Sequence, residues 1–166
     1  MPLWDPPASV GANEYIGRRL FDEPLLAGAD DQDRFEGILL THFQENRGDD
    51  WSVDRLGNGV VNRAVVRYLS PRAELNATGF KPPKRFDGWT TIRIGELARQ
   101  WKASLDAALE ILPSPVPGEN GGGTSDLTAN SYHASIIKLS DTRPFLMALQ
   151  LRHFFTRFGK VERADR

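Results

Sequence analysis

The chain contains no cysteine. Disulfides, cysteine nucleophiles and thiolate-bound zinc are therefore excluded. The absence does not decide the compartment, since secreted and cytosolic proteins alike can lack cysteine. Histidine is nearly as scarce: His42, His133 and His153 are the only three. They form no HExxH motif and no close pair, so no metal site is expected even with Glu45 near His42. Apolar runs are short, and no window approaches the ~18 residues of a membrane span. The first residues, "MPLWDPPASVGANEYIG", lack a basic stretch followed by an apolar one. No secretory signal is expected, and the default location is the cytoplasm. No internal repeat is evident.

What is present suits one domain. A chain of 166 residues can bury a core without staples. The formal net charge is −1, but residues 1–54 carry 12 acidic and 4 basic side chains and residues 55–166 carry 10 and 17. Such asymmetry can draw an anionic partner to one face. The simpler expectation is that the two halves pack together and neutralise each other. No nucleic-acid-binding pattern accompanies the basic residues, so a nucleic acid is not the expected partner.

Several segments announce their structure. "EYIGRRLF" suits a short strand or a helical turn, "FEGILLTHFQ" a strand, and "WSV" the start of another extended piece. "NGVVNRAVVRYLS" places Val60, Val61, Ala64, Val65, Tyr68 and Leu69 at helical spacing. Asn58 is its expected cap and Pro71 its expected stop, which leaves 71–89 as a long connection. "WTTIRIGEL" alternates like a strand. "GELARQWKASLDAALEIL" carries an apolar stripe of Leu97, Trp101, Leu105, Ala108, Leu109 and Leu112, and is the clearest helix. Residues 113–127 form a flexible Pro/Gly-rich loop without a phosphate-cradling motif, because no lysine follows the glycines.

"SYHASIIKLS" reads as a strand, with His133, Ser135 and Ile137 on one face and Tyr132, Ala134 and Ile136 on the other. A last helix starts near Pro144, capped by Asp141 or Thr142, and buries Phe145, Leu146, Leu149, Phe154 and Phe158. Phe155 is left over as a candidate contact for a second copy. Residues 160–166 are expected to fray. The class is α+β: a single domain with a small sheet of short strands, open to mixed pairing, packed by about three helices.

The candidates for chemistry are polar residues beside these elements. His133 is a proton-handling candidate next to a loop, with Tyr132 and Ser135 able to assist. The structural alternative is a half-buried histidine bonded to backbone. Trp89, after "KRFD", is the surface aromatic expected to help form a binding face. Arg18 and Arg19 offer planar forks of donors suited to phosphate, or else pair with the acidic segment 22–36.

Arg18 and Arg19 on an early element, Ser52 on a middle one and polar residues on a late strand follow an order that resembles enzymes transferring ADP-ribose from NAD. The resemblance implies NAD as cofactor, Arg18 or Arg19 at its phosphate or ribose, and Ser52 at its nicotinamide end. Where that family has a late glutamate, the matching strand here offers His133 and Ser135.

Two functions follow. The first is partner binding, to another protein or to a second copy, through the basic-aromatic region or the last helix, with no cofactor. The second is an enzyme acting on a nucleotide or other anionic substrate. An enzyme should gather Arg18 or Arg19, Ser52 and His133 into one concave pocket. A binding protein should keep them apart and expose an aromatic patch.

Overall fold

Alternating apolar side chains build a sheet that is covered on both faces. The computed structural model describes residues 3–22, 40–43, 50–139 and 141–165. Among these, six strands are β1 (Glu14–Phe21), β2 (Asp50–Asn58), β3 (Phe86–Arg93), β4 (Ile111–Pro113), β5 (His133–Ile137) and β6 (Lys160–Arg163). Three α-helices are α1 (Arg63–Thr78), α2 (Ile94–Leu105) and α3 (Pro144–Phe158). The strands form one sheet in the order β4-β5-β2-β1-β3-β6. Every neighbouring pair is antiparallel. The fold is thus a small α+β domain, and among the described residues its sheet contains no parallel pair. Both edge strands are short, which limits the unpaired backbone offered to other chains.

Two apolar clusters lie against the sheet. One joins Ile16, Leu20, Trp51, Val53, Ile92, Ala134 and Ile136 to Leu97 and Trp101 of α2 and to Met147, Leu151, Phe154 and Phe155 of α3. The other joins Leu56, Phe86 and Trp89 to Val65, Val66, Leu69, Ala73 and Ala77 of α1. Trp51, Trp89 and Trp101 are all fully buried, and large aromatics of this kind dominate core energetics. Gly17 of β1 lies against Leu56 of β2 and Trp89 of β3. A Cβ there would come within 2.7 Å of Leu56 and 2.9 Å of Trp89.

The helices depart from the sequence expectation in instructive ways. Asn62, and not Asn58, caps α1, its side chain accepting from the backbone of Ala64 at 2.9 Å and Val65 at 3.2 Å. The helix does not stop at Pro71 but runs to Thr78. The lost backbone bond is offset by burial of Ala73 and Ala77 and by the anchoring of Arg72 described below. α2 ends at Leu105, well before Pro113, because Asp106 turns left-handed (φ 49°) and Ile111–Pro113 pair with β5. Ala108 and Leu112 are exposed and do not extend its stripe.

In α3 the buried side chains are Met147, Ala148, Leu151, Phe154 and Phe155. Phe155 is therefore core, while Phe145, Leu146, Leu149 and Phe158 are exposed. Neither Asp141 nor Thr142 caps α3; its N-cap is Arg143, without a side-chain bond. Lys160–Arg163, expected to fray, pair with β3 as an edge strand. Of the expected strand "FEGILLTHFQ", residues 35–39 and 44 lie outside the described residues, and Leu40–Phe43 form a single 3-10 turn. No helix among the described residues is long and apolar enough to cross a membrane.

Candidate ligand-binding cleft

The two central strands part company halfway along. Pairing of β1 with β2 runs only from Glu14↔Asn58 to Gly17↔Asp54. Beyond Gly17, β1 continues against β3 as far as Phe21. Beyond Asp54 toward its N-terminus, β2 continues against β5 as far as Asp50. The sheet is closed at one end, where a buried Arg55–Glu14 pair bridges the two strands with bonds of 2.7 and 3.0 Å. At the other end it divides into two three-stranded halves. Unpaired strand backbone needs partners, and Arg18 supplies some: its guanidinium donates to the carbonyls of Ser52 at 2.6 Å and His42 at 2.8 Å.

A cleft of about 970 Å³ opens at this division. Arg18, Arg19, Phe21 and Asp22 line it from the β1 side, and Ser52, Asp54, Asn130 and His133 from the β2 side. Arg72, Leu75, Asn76, Phe80 and Lys84 close it from α1 and the turn that follows. The volume falls in the range of small-molecule sites.

Asp54 organises the floor. It is buried and accepts four hydrogen bonds. Arg19 Nε (2.8 Å) and Trp89 Nε1 (2.8 Å) reach Oδ2; Arg19 Nη2 (3.1 Å) and Asn130 Nδ2 (3.0 Å) reach Oδ1. Burial alone pushes the carboxyl up. The Arg19 charge and the bonds from Arg19, Trp89 and Asn130 outweigh it and hold the group below its ordinary value. Arg19 is thereby fixed through its Nε–Nη2 edge. Its Nη1–Nη2 edge makes no hydrogen bond among the described residues, and the side chain lines the cleft. A guanidinium held on one edge and open on the other is preorganised for a second planar or tetrahedral oxyanion.

His133 stands across from Asp54 in the register of β2 and β5. Its Nδ1 lies 2.7 Å from Ser114 Oγ, and Ser114 Oγ lies 3.3 Å from Ser135 Oγ. Ser52 pairs with Ser135 in the same ladder. The strand alternation holds for His133, Ser135 and Ile137, which are half-buried, against buried Ala134 and Ile136. Tyr132 breaks it. It precedes the strand, packs with the α1 cluster, and donates from its hydroxyl to the Trp4 carbonyl at 2.6 Å. Burial, with Tyr68 and Asp5 nearby, pushes the phenol up to about 12, so it stays a neutral donor. Tyr132 is not among the residues lining the cleft.

Trp89 corrects a second expectation. It is fully buried, and its contribution is the hydrogen bond to Asp54 rather than a surface. The exposed apolar residues at the cleft are instead Leu75, Phe80, Val116 and Leu127. Phe80 meets Phe21 edge-on at 5.2 Å, and Lys84 Nζ sits 4.8 Å over the Phe80 ring.

The loop that carries the β2-side wall is tied down by two residues. Buried Arg72 lies 3.5 Å over the Tyr68 ring. It donates to the carbonyls of Tyr68 at 2.6 Å, Ala129 at 2.7 Å, Thr124 at 2.8 Å and Asp126 at 3.0 Å. Asp126 accepts from the Thr128 hydroxyl and from the backbone of Asn120, Gly122 and Thr128. The Thr128 hydroxyl and those N–H groups hold its carboxyl far below the usual range, against partial burial.

The three histidines do not converge. His42 and His133 line the cleft, while His153 is exposed on α3. Among the described residues no group of three side chains could hold a metal ion. Asp54, Asn130, Ser114 and Arg72 did not stand out in the sequence. For Asp54 a signal existed: an acid inside a strand, between Val53 and Leu56, on the same face as Ser52. Comparison of this chain with protein-family models, curated proteins and solved structures finds no match.

Proposed function

We propose that this chain is an enzyme acting on a nucleotide or a similar anionic substrate bound in the cleft between β1 and β2. The observation that carries the proposal is the open edge of Arg19, oriented by Asp54 in a cleft that also holds His133 and Ser52. A phosphate accepts two parallel bonds from that edge, and Lys84 adds a mobile positive charge. The apolar side chains of Leu75, Phe80, Val116 and Leu127 suit the flat face of a base. His133 lines the same cleft, and in this reading it handles the proton. Nucleotides are abundant in the cytoplasm, which agrees with the location expected from sequence. NAD belongs among the candidate ligands. In ADP-ribose transfer, however, the late carboxylate has no counterpart on β5, where His133 and Ser135 stand.

The test is a thermal-shift panel of AMP, ADP, NAD, inorganic phosphate and adenosine. A ligand at 100 times its Kd stabilises the native state by about 2.7 kcal/mol. For a domain of this size that raises Tm by roughly 5–11 °C. Phosphate-bearing nucleotides should produce the shift and adenosine should not. No shift from any nucleotide, or an equal shift from adenosine, overturns the proposal.

Partner binding remains a second reading because of α3. Phe145, Leu146, Leu149 and Phe158 are 53, 50, 38 and 37% exposed on one helix, and apolar groups of this kind favour association.

A further inference from the structure

Ser114 meets Nδ1 of His133 through both its side chain and its backbone. Nδ1 lies 2.7 Å from Ser114 Oγ and 3.0 Å from the Ser114 carbonyl oxygen. A carbonyl oxygen can only accept. In the neutral ring the hydrogen therefore sits on Nδ1, shared between the carbonyl and the hydroxyl oxygen. Ser114 Oγ keeps its own hydrogen for Ser135 Oγ, 3.3 Å away. The backbone fixes the same pair, Ser114 N–H donating to the His133 carbonyl at 2.9 Å. Nε2 then carries the lone pair. It makes no hydrogen bond among the described residues, on a ring that lines the cleft.

We infer that Nε2 of His133 accepts a hydrogen bond from a hydroxyl group of the bound substrate, and that Ser114 is the positioning residue that sets this polarity. In a nucleotide the hydroxyls available are those of the ribose, so the site selects ribose over deoxyribose. The inference rests on the nucleotide reading of the cleft. It adds a requirement that the phosphate contact with Arg19 does not make: an oxyanion has no hydrogen to offer a bare Nε2, so this nitrogen calls for a donor on the ligand. The neighbouring hydroxyls are already arranged in sequence, Nδ1–H donating to Ser114 Oγ and Ser114 Oγ–H to Ser135 Oγ, and do not compete for Nε2.

Two measurements test it. Long-range proton–nitrogen NMR in alkaline buffer, where an imidazole is neutral, should report His133 as the Nδ1–H form. Ser114→Ala removes the hydroxyl, which could serve as donor or acceptor, but keeps the carbonyl, which can only accept, so the Nδ1–H form should persist there. Calorimetric titration of the wild-type protein with AMP and with its 2′-deoxy and 3′-deoxy analogues should show at least one analogue binding about tenfold more weakly, the worth of roughly one hydrogen bond. In His133→Phe that discrimination should vanish while phosphate-dependent binding persists.

An Nε2–H tautomer, or equal affinity for AMP and both analogues, overturns this inference and leaves the nucleotide reading intact. Binding of none of the three overturns both. The wild-type comparison needs no variant, so it does not depend on whether Ser114→Ala or His133→Phe folds.

Discussion

Replacing Asp54 by asparagine removes a charge and turns one buried oxygen into an amide nitrogen. Asp54 accepts from Arg19 Nε and Trp89 Nε1 on one oxygen and from Arg19 Nη2 and Asn130 Nδ2 on the other. Whichever way the new amide turns, its NH₂ faces two donors. Asn130 cannot escape by flipping, because its own oxygen accepts from Tyr132 N at 2.9 Å. A buried donor without a partner costs about 1–3 kcal/mol, and breaking a buried ion pair costs about 3–5 kcal/mol. The Arg19 side chain is 19% exposed and can relax toward water, so the expected loss is at the lower end, about 3 kcal/mol.

Urea unfolding followed by circular dichroism should show that loss, with Tm lowered by roughly 6–12 °C. The pH dependence has a definite sign. The Asp54 carboxyl is held below its ordinary value of 3.8 in the folded protein, so on acidification the unfolded chain takes up the proton first. The stabilisation is fully present above that ordinary value and is lost as pH falls through the folded one. The wild type should therefore lead Asp54→Asn by a constant margin from neutral pH down to about pH 5 and lose the lead below about pH 4. A variant within about 0.5 kcal/mol of wild type at neutral pH, the range of ordinary surface changes, or a margin that grows on acidification, would refute the reasoning.

Three further outcomes are expected. Arg72→Met should leave four carbonyls without their donor and release the segment around Thr124–Ala129, visible as faster amide exchange there than in β3. Gly17→Ala should cost about 1–3 kcal/mol by overpacking, because its Cβ meets Leu56 and Trp89 on fully buried neighbours; denaturant midpoints measure it. If α3 docks a second copy, Leu146→Lys with Leu149→Lys should abolish any concentration dependence of the sedimentation coefficient without lowering Tm.

A strand was legible where burial alternates, as in "HASII"; "EYIGRRLF", whose burial does not alternate, was open to a strand or a helical turn and is the strand β1. The helices were misjudged where local propensity met a longer-range demand. Pro71 is a helix breaker by rule, but Arg72 one residue later finds four carbonyl partners and holds the chain helical around it. "LDAALEIL" favours helix, yet Ile111–Pro113 gain backbone pairing with β5 instead.

Of the residues singled out in the sequence, Arg18, Arg19, Ser52 and His133 line the candidate cleft, while Ser135 reaches it only through Ser114. Their convergence was not legible, because it depends on where β1 and β2 cease to pair, a property of register between strands far apart in the chain. Asp54 and Ser114 matter only through that geometry. Trp89 looked like a surface aromatic because it follows the basic "KRFD", and Tyr132 looked like an assistant to His133; each is instead buried with its polar atom bonded, one to Asp54 and the other to the Trp4 carbonyl.

The most direct test of the account is calorimetric titration of AMP into the wild type and into Arg19→Lys. Lysine keeps a positive partner for Asp54 but has no second edge to offer a phosphate. The account predicts measurable binding to the wild type, at least tenfold weaker binding to Arg19→Lys, and near-equal Tm for the two unliganded proteins. Equal affinity in both, with both folded, would contradict it.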